Sequence, residues 1–264
     1  MNHIQPVWAP PGLPWLEFNL STSLMSIVTA VIVFLLAFFA TRKLKEGVPT
    51  GIQNVFEWIV DFVYGIIGST IGLKKGAKFI FLGLTLILFI WIGNLLGLPF
   101  NFMTVHEEPL VIWGQEIVSQ EMIDASTMMH HDKKVVEVAW WKSPTADMSV
   151  TLALSLSMIL LTHILSVRYR GGKAYLKHYF EPYLIWLPLN IIEEIAKFLT
   201  LGMRLYGNIF AGEVLIGVIM MLGVFGVFPL IVWQAFSIFV GSIQAYVFTI
   251  LTMVYISQKI QDAH

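Results

Sequence analysis

The chain has 264 residues, 57% of them hydrophobic and 12% charged. A water-soluble globular chain carries charge at roughly a quarter of its positions, so a soluble fold of this composition would have to expose long apolar runs. The formal net charge of −1 excludes bulk attraction to nucleic acid or to an anionic partner, and the absence of cysteine excludes disulfides, thiolate chemistry and cysteine-based zinc or iron–sulfur centres.

The N-terminus, MNHIQPVWAPPGLPW, lacks a basic leader region, and the apolar run that follows, Leu24 to Ala40, is too long for the core of a secretory signal. It reads as a retained anchor. A hydrocarbon core of about 30 Å takes about 20 apolar residues in a helix, because unpaired backbone groups are too costly in lipid. Five stretches meet that length, at 21–41, 78–102, 148–168, 183–223 and 226–257, within one integral membrane domain covering 1–264. The fourth is about twice the usual length, which predicts extra turns of approach, a steep tilt, or a bend near Gly223 to Pro229. Between the first two spans, Glu57 and Asp61 sit four residues apart among Phe56, Ile59, Val60 and Phe62. That pattern predicts an amphipathic helix in the membrane interface and not a sixth crossing. The fold class is therefore an all-α membrane protein.

Orientation follows from where lysine and arginine fall. Arg42, Lys43, Lys45, Lys74, Lys75 and Lys78 mark the segment 42–78 as cytoplasmic, and Arg168, Arg170, Lys173 and Lys177 do the same for 168–180. In the loop 103–146, Lys133, Lys134 and Lys142 are diluted by seven acids, among them Glu107, Glu116 and Glu137, so this loop is expected outside. Five crossings then leave the N-terminus outside and the C-terminus in the cytoplasm.

Glu193, Glu194, Lys197, Arg204 and Glu213 all fall inside the fourth span. An arginine at mid-membrane costs about 2.5–3.5 kcal/mol or more, so it requires a partner or a wet cavity. At about 100° per residue, Glu193, Lys197, Asn208 and Ala211 all lie within about 40° of Arg204 and form one stripe with it. Gly202, Gly207 and Gly212 add positions of close approach. Glu213 falls on nearly the opposite face, about 13 Å further along. Glu193 and Lys197, one turn apart, also fit a snorkelling ion pair near the cytoplasmic end, and Glu194 fits the same role. For Arg204 the structural alternative is a buried pair with Glu213 or Asp147. In the fifth span Ser237, Gln244 and Tyr255 fall nearly on one line, either facing that stripe or bonding the two helices together.

LTLGMRLYGNIFAGE at 199–213 and IQAYVFTILTMVYIS at 243–257, with IGNLLGLP at 92–99 and SPTADMSVTLALSLS at 143–157 in the same order, resemble subunit a of F-type ATP synthases. The resemblance implies a stator subunit beside a rotating ring of c subunits, with two offset half-channels, one open to each side of the membrane. It implies a non-catalytic chain in the plasma membrane, without cofactor, assembled with the c-ring, the b-subunit peripheral stalk and other synthase subunits. It implies that the last two helices lie tilted along the ring and that Arg204 is the essential arginine. Asn208, Glu213 and Gln244 are implied to line or border the outer half-channel, with Glu193 or Glu194 at the inner one. Some members carry a histidine where this chain has Ser237, so a relay through imidazole is not available there; many have proline where this chain has Phe198.

A secondary transporter would also keep charges at the midplane, but no inverted repeat is visible and five spans divide poorly into halves. His163 stands without the spacing of a metal motif and reads as a packed or headgroup-level histidine. His130, His131 and Asp132 read as a solvated loop segment.

Overall fold

The apolar stretches pair their backbone groups internally, as helices. A computed structural model describes residues 4–13, 16–42, 44, 47–97, 103–126, 129–130, 133–173, 175, 185 and 187–261. Its long helices are α1 (Leu20–Thr41), α2 (Ile52–Thr70), α3 (Ile80–Leu96), α4 (Met148–Arg170), α5 (Leu187–Met220) and α6 (Val227–Gln261). Among the described residues, five crossings are long and apolar enough to span a membrane: Leu20–Thr41, Leu73–Leu96, Met148–Arg170, Leu187–Met220 and Gly223–Ile260. These correspond to the five stretches read from the sequence. α2 is the additional amphipathic helix: it buries Val63, Ile66 and Ile67 and leaves Trp58 and Phe62 outward.

Two boundaries differ from expectation. The second crossing begins earlier, in a helical turn at Leu73, and α3 ends at Leu96; residues 98–102 lie outside those described. At the end of α3, a Cβ on Gly97 would collide with the backbone and side chain of Ser143. The fourth span is one uninterrupted helix over its described length. α5 is one helix of 34 residues, about 51 Å long, so it must tilt steeply if it is to stay within a core of about 30 Å. The reversal comes after it, at Met221–Gly226, where Gly223 takes a φ of 57°. Pro229 then sits in the first turn of α6, where a missing N–H removes no helical bond.

Two apolar clusters hold the bundle. Leu86 and Ile90 of α3, Leu201 and Leu205 of α5, and Ala245 and Phe248 of α6 form the central one. Val63, Ile66 and Ile67 of α2 pack on Met253, Ile256 and Ile260 of α6 in the other. Buried hydroxyls are satisfied locally: Thr29 donates to the Met25 carbonyl (2.7 Å), and Thr249 and Thr252 donate to Ala245 and Phe248 (2.9 Å each). Ser155 donates to Phe198 O of α5 (2.6 Å) beside Gly202, whose missing Cβ lets α4 and α5 approach. Phe34, Phe39, Phe228 and Ile231 point outward at 57–77% exposure. Such an apolar exterior suits lipid and not water.

The 103–146 loop is more ordered than a solvated connection. Met103–His106 pairs antiparallel with Val136–Ala139, Leu110–Ile112 with Gln115–Val118, and Met129–His130 with Lys133–Lys134. Val118, Ile123, Val136 and Val138 form a small core beneath them, and Ile4 of the N-terminal segment bridges to Val138. His131 and Asp132 lie outside the described residues.

Candidate functional site

The segment joining this β cap to α4 is pinned to the end of α3. Trp141 donates its indole N–H to Leu96 O (2.7 Å), Ser143 donates to Gly93 O (3.0 Å), and Thr145 donates to Asn94 Oδ1 (2.6 Å). Asn94 in turn donates to Gly241 O of α6 (3.1 Å). Asp147 caps α4 by accepting from the Ser149 N–H (2.9 Å), and its other oxygen accepts from Thr22 of α1 (2.9 Å). Those bonds occupy Asp147 as a helix cap and inter-helix tie, so it is not the partner of Arg204. Residues 93–96 and 141–145 are thereby a single joint.

That joint closes one end of a cleft between α5 and α6. Asn208, Gly212 and Glu213 of α5 face Trp233, Ser237 and Val240 of α6, with Asn94 and Ser143 alongside, around about 80 Å³ of open space. That is room enough for water. Ser237 Oγ is buried there without a protein hydrogen bond among the described residues. Glu213 reaches the cleft from α5, and Lys142 Nζ lies 3.8 Å from its Oε2. Glu213 is thus not the partner of Arg204 either. Gln244, two turns beyond Ser237, is buried and is not among the residues lining the cleft. Its neighbour Ala245 packs with Leu201 and Leu205, which sets Gln244 at the level of Arg204.

A second polar centre lies toward the other end of α5. Glu194 Oε1 accepts from Lys259 of α6 (2.6 Å) and stands 3.5 Å from Lys197; Glu194 Oε2 is 3.6 Å from His163 Nε2 of α4. His163 Nδ1 contacts the Tyr175 hydroxyl (3.0 Å), so this histidine is packed, but in a charged cluster that its sequence position does not announce. Glu193 points differently: its side chain is 63% exposed and pairs only one turn along the helix, with Lys197 at 2.7 Å. The ion pair expected for Glu193 and Lys197 is present, whereas Glu194 is half-buried and turned toward α4 and α6. Lys197 also stands 5.9 Å from the Tyr255 ring centroid. The polar line on α6 thus meets α5 at both of its ends, through Ser237 and through Tyr255.

Arg204 lies between the two centres on the outward face of α5. It is exposed, and among the described residues no acid lies within ion-pair distance of it. Ala196, Thr200, Gly207 and Ala211 share that face, and a Cβ added at Gly207 would meet nothing within 4 Å. The stripe read from the sequence therefore divides: Glu193, Arg204 and Ala211 face out, Lys197 turns toward the acids, and Asn208 enters the cleft.

An exposed guanidinium within a span-length helix, with no acid in ion-pair distance among the described residues and a polar centre to either side, is the arrangement of a membrane subunit that handles ions. Residues 23–257 match the family model described as ATP synthase A chain. The whole chain is 46% identical to ATP synthase subunit a of Staphylococcus saprophyticus, of Staphylococcus epidermidis and of Staphylococcus aureus, with 100% of each sequence covered. The chain belongs to the ATP synthase A chain family and has that family's non-catalytic, proton-translocating stator role in the membrane sector.

Proposed function

We propose that the outward face of α5 is the surface along which a ring of c subunits turns, and that Arg204 is the fixed charge every ring carboxylate must pass. The observation that carries this is the exposed guanidinium with no acid in ion-pair distance among the described residues, on a face of small residues where Gly207 opens onto free space. Among the described residues nothing lies within 4 Å of a Cβ added at Gly207, which leaves room there for the close approach of a rotor helix.

A ring carboxylate facing lipid must be neutral and can ionise only beside a compensating cation. Arginine supplies that charge and cannot itself release the proton, since its pKa exceeds about 12. It also separates two aqueous paths electrostatically, so protons must ride the ring between them. The cleft holding Glu213, Asn208 and Ser237 serves as the outer path, with Gln244 steadying the helix contact at the level of Arg204. Exposed Glu193 serves the inner path, and Glu194, clamped by Lys259, shapes its wall. Each charge crossing 100 mV releases about 2.3 kcal/mol, so several must cross per ATP. On this reading the chain lies in the plasma membrane with its N-terminus outside and its C-terminus in the cytoplasm, beside the b-subunit peripheral stalk and the other synthase subunits; the lysine and arginine distribution supports that orientation.

Because the chain has no cysteine, a single Gly207→Cys variant reports its neighbour directly. With a second cysteine on the outer helix of the c subunit, oxidation should give a cross-linked product of one a and one c subunit. The rotor surface would be misplaced if Gly207→Cys gave no such product while a cysteine on the opposite face of α5 did.

A further inference from the structure

We propose that Lys142 is a positioning residue for proton entry: its ammonium, delivered by the strap from the β cap, holds the Glu213 carboxylate at the cleft and sets the range of outer pH over which protons enter. The inference rests on the reading of this cleft as the outer path.

Lys142 is no incidental surface charge. Its side chain is only 16% exposed, and its ion-pair partner among the described residues is Glu213, at 3.8 Å. A largely buried ammonium is costly unless an anion compensates it. Its chain neighbours are anchored by their side chains, since the Trp141 indole bonds Leu96 O, the Ser143 hydroxyl bonds Gly93 O and the Thr145 hydroxyl bonds Asn94. The strap therefore presents the charge at a set place. The other groups lining the cleft around Glu213 are neutral: Asn208 on its own helix, Ser237 and Trp233 from α6, Asn94 from α3 and Ser143 from the strap. Among the described residues, Lys142 is the charge that acts on Glu213.

The two acids on α5 with lysine partners differ in a way that matters for proton exchange. Glu194 receives a hydrogen bond from Lys259 at 2.6 Å, so one of its oxygens is already engaged. The Lys142–Glu213 separation of 3.8 Å lies beyond hydrogen-bond range. The charge is felt, but both oxygens remain free to take a proton. A nearby cation favours the ionised carboxylate, so Lys142 makes loading from outside require a higher proton concentration.

The test is ATP synthesis by the assembled enzyme in inverted membrane vesicles, whose lumen corresponds to the outer side. Lumenal pH is varied at fixed external pH and fixed membrane potential. For Lys142→Gln the half-saturating lumenal pH should move upward by about one unit, a tenfold change in proton concentration. Lys142→Arg, which keeps the charge, should return it close to the wild-type value. A Lys142→Gln enzyme with a lower maximal rate but an unmoved midpoint would overturn the proposal, since a purely structural strap predicts that outcome. Glu213→Gln separates the two readings. If it leaves synthesis and its lumenal-pH dependence intact, the cleft is not the outer path. If it removes synthesis while Lys142→Gln leaves the midpoint unmoved, only the role of Lys142 fails.

Discussion

Replacing Arg204 with alanine should abolish ATP-driven proton pumping into inverted vesicles, by about 100-fold or more, while the catalytic head still hydrolyses ATP. The magnitude follows from the cost of ionising a carboxylate in lipid without a counter-charge: about 2.5–3.5 kcal/mol is already a factor of roughly 70 to 400 in the population able to exchange. The variant removes no packing from the core, because Arg204 is exposed while its neighbours Leu201 and Leu205 carry the contacts to α3 and α6. The purified variant should therefore keep wild-type thermal stability. Pumping is measured by quenching of a pH-sensitive dye and hydrolysis by phosphate release from the same vesicles. Normal pumping would reject the stator reading, and solute transport by the purified chain alone would favour a secondary transporter.

The second large effect is expected at Glu194, on stability. Its carboxylate lies between Lys259 at 2.6 Å, Lys197 at 3.5 Å and His163 at 3.6 Å, with side-chain exposures of 16% for Glu194 and 10% for Lys259. Glu194→Gln keeps the shape and removes the anion that bonds Lys259, while Lys197 keeps its pair with Glu193. Breaking a buried pair in this way costs roughly 3 kcal/mol. The C-terminal turn of α6, where Arg170 also bonds the carbonyls of Gln258 and Lys259 (3.2 Å each), should loosen first. Hydrogen exchange should rise at 255–261 and the unfolding midpoint of the purified chain should fall. The same substitution at Glu193, which is 63% exposed, should leave the midpoint unchanged within about 0.5 kcal/mol and act on transport instead. If the two variants destabilised equally, the distinction drawn between these neighbouring acids would be wrong.

The features legible in the sequence were those with a local physical cause. Arg204 stands out because a permanent charge inside an apolar run is expensive wherever the chain folds. The turn between α5 and α6 follows from Gly223 and Pro229, and α2 follows from the spacing of Glu57, Asp61 and the apolar residues around them. What stayed hidden depends on which helix faces which. Glu193 and Glu194 differ by only about 100° around the helix, and which one is turned inward depends on where α4 and α6 pack. Lys142 belongs to a loop whose β pairing brings together segments more than thirty residues apart, such as Val105 with Glu137. Strands of two to four residues leave too little alternation to read. His163 gave no signal because its partners, Glu194 and Tyr175, lie on other segments. Ser237, by contrast, was placed correctly by helical spacing on the side of α6 that meets the polar residues of α5.

The most direct measurement is a structure of the assembled synthase resolving side chains where this subunit meets its rotor. The guanidinium of Arg204 should stand within reach of an acidic side chain of the adjoining c subunit, screened from bulk water, with Gly207 and Ala211 against the same rotor helix. Finding residue 204 in open solvent, or bonded to an acid of its own chain with no rotor subunit adjacent, would contradict the account.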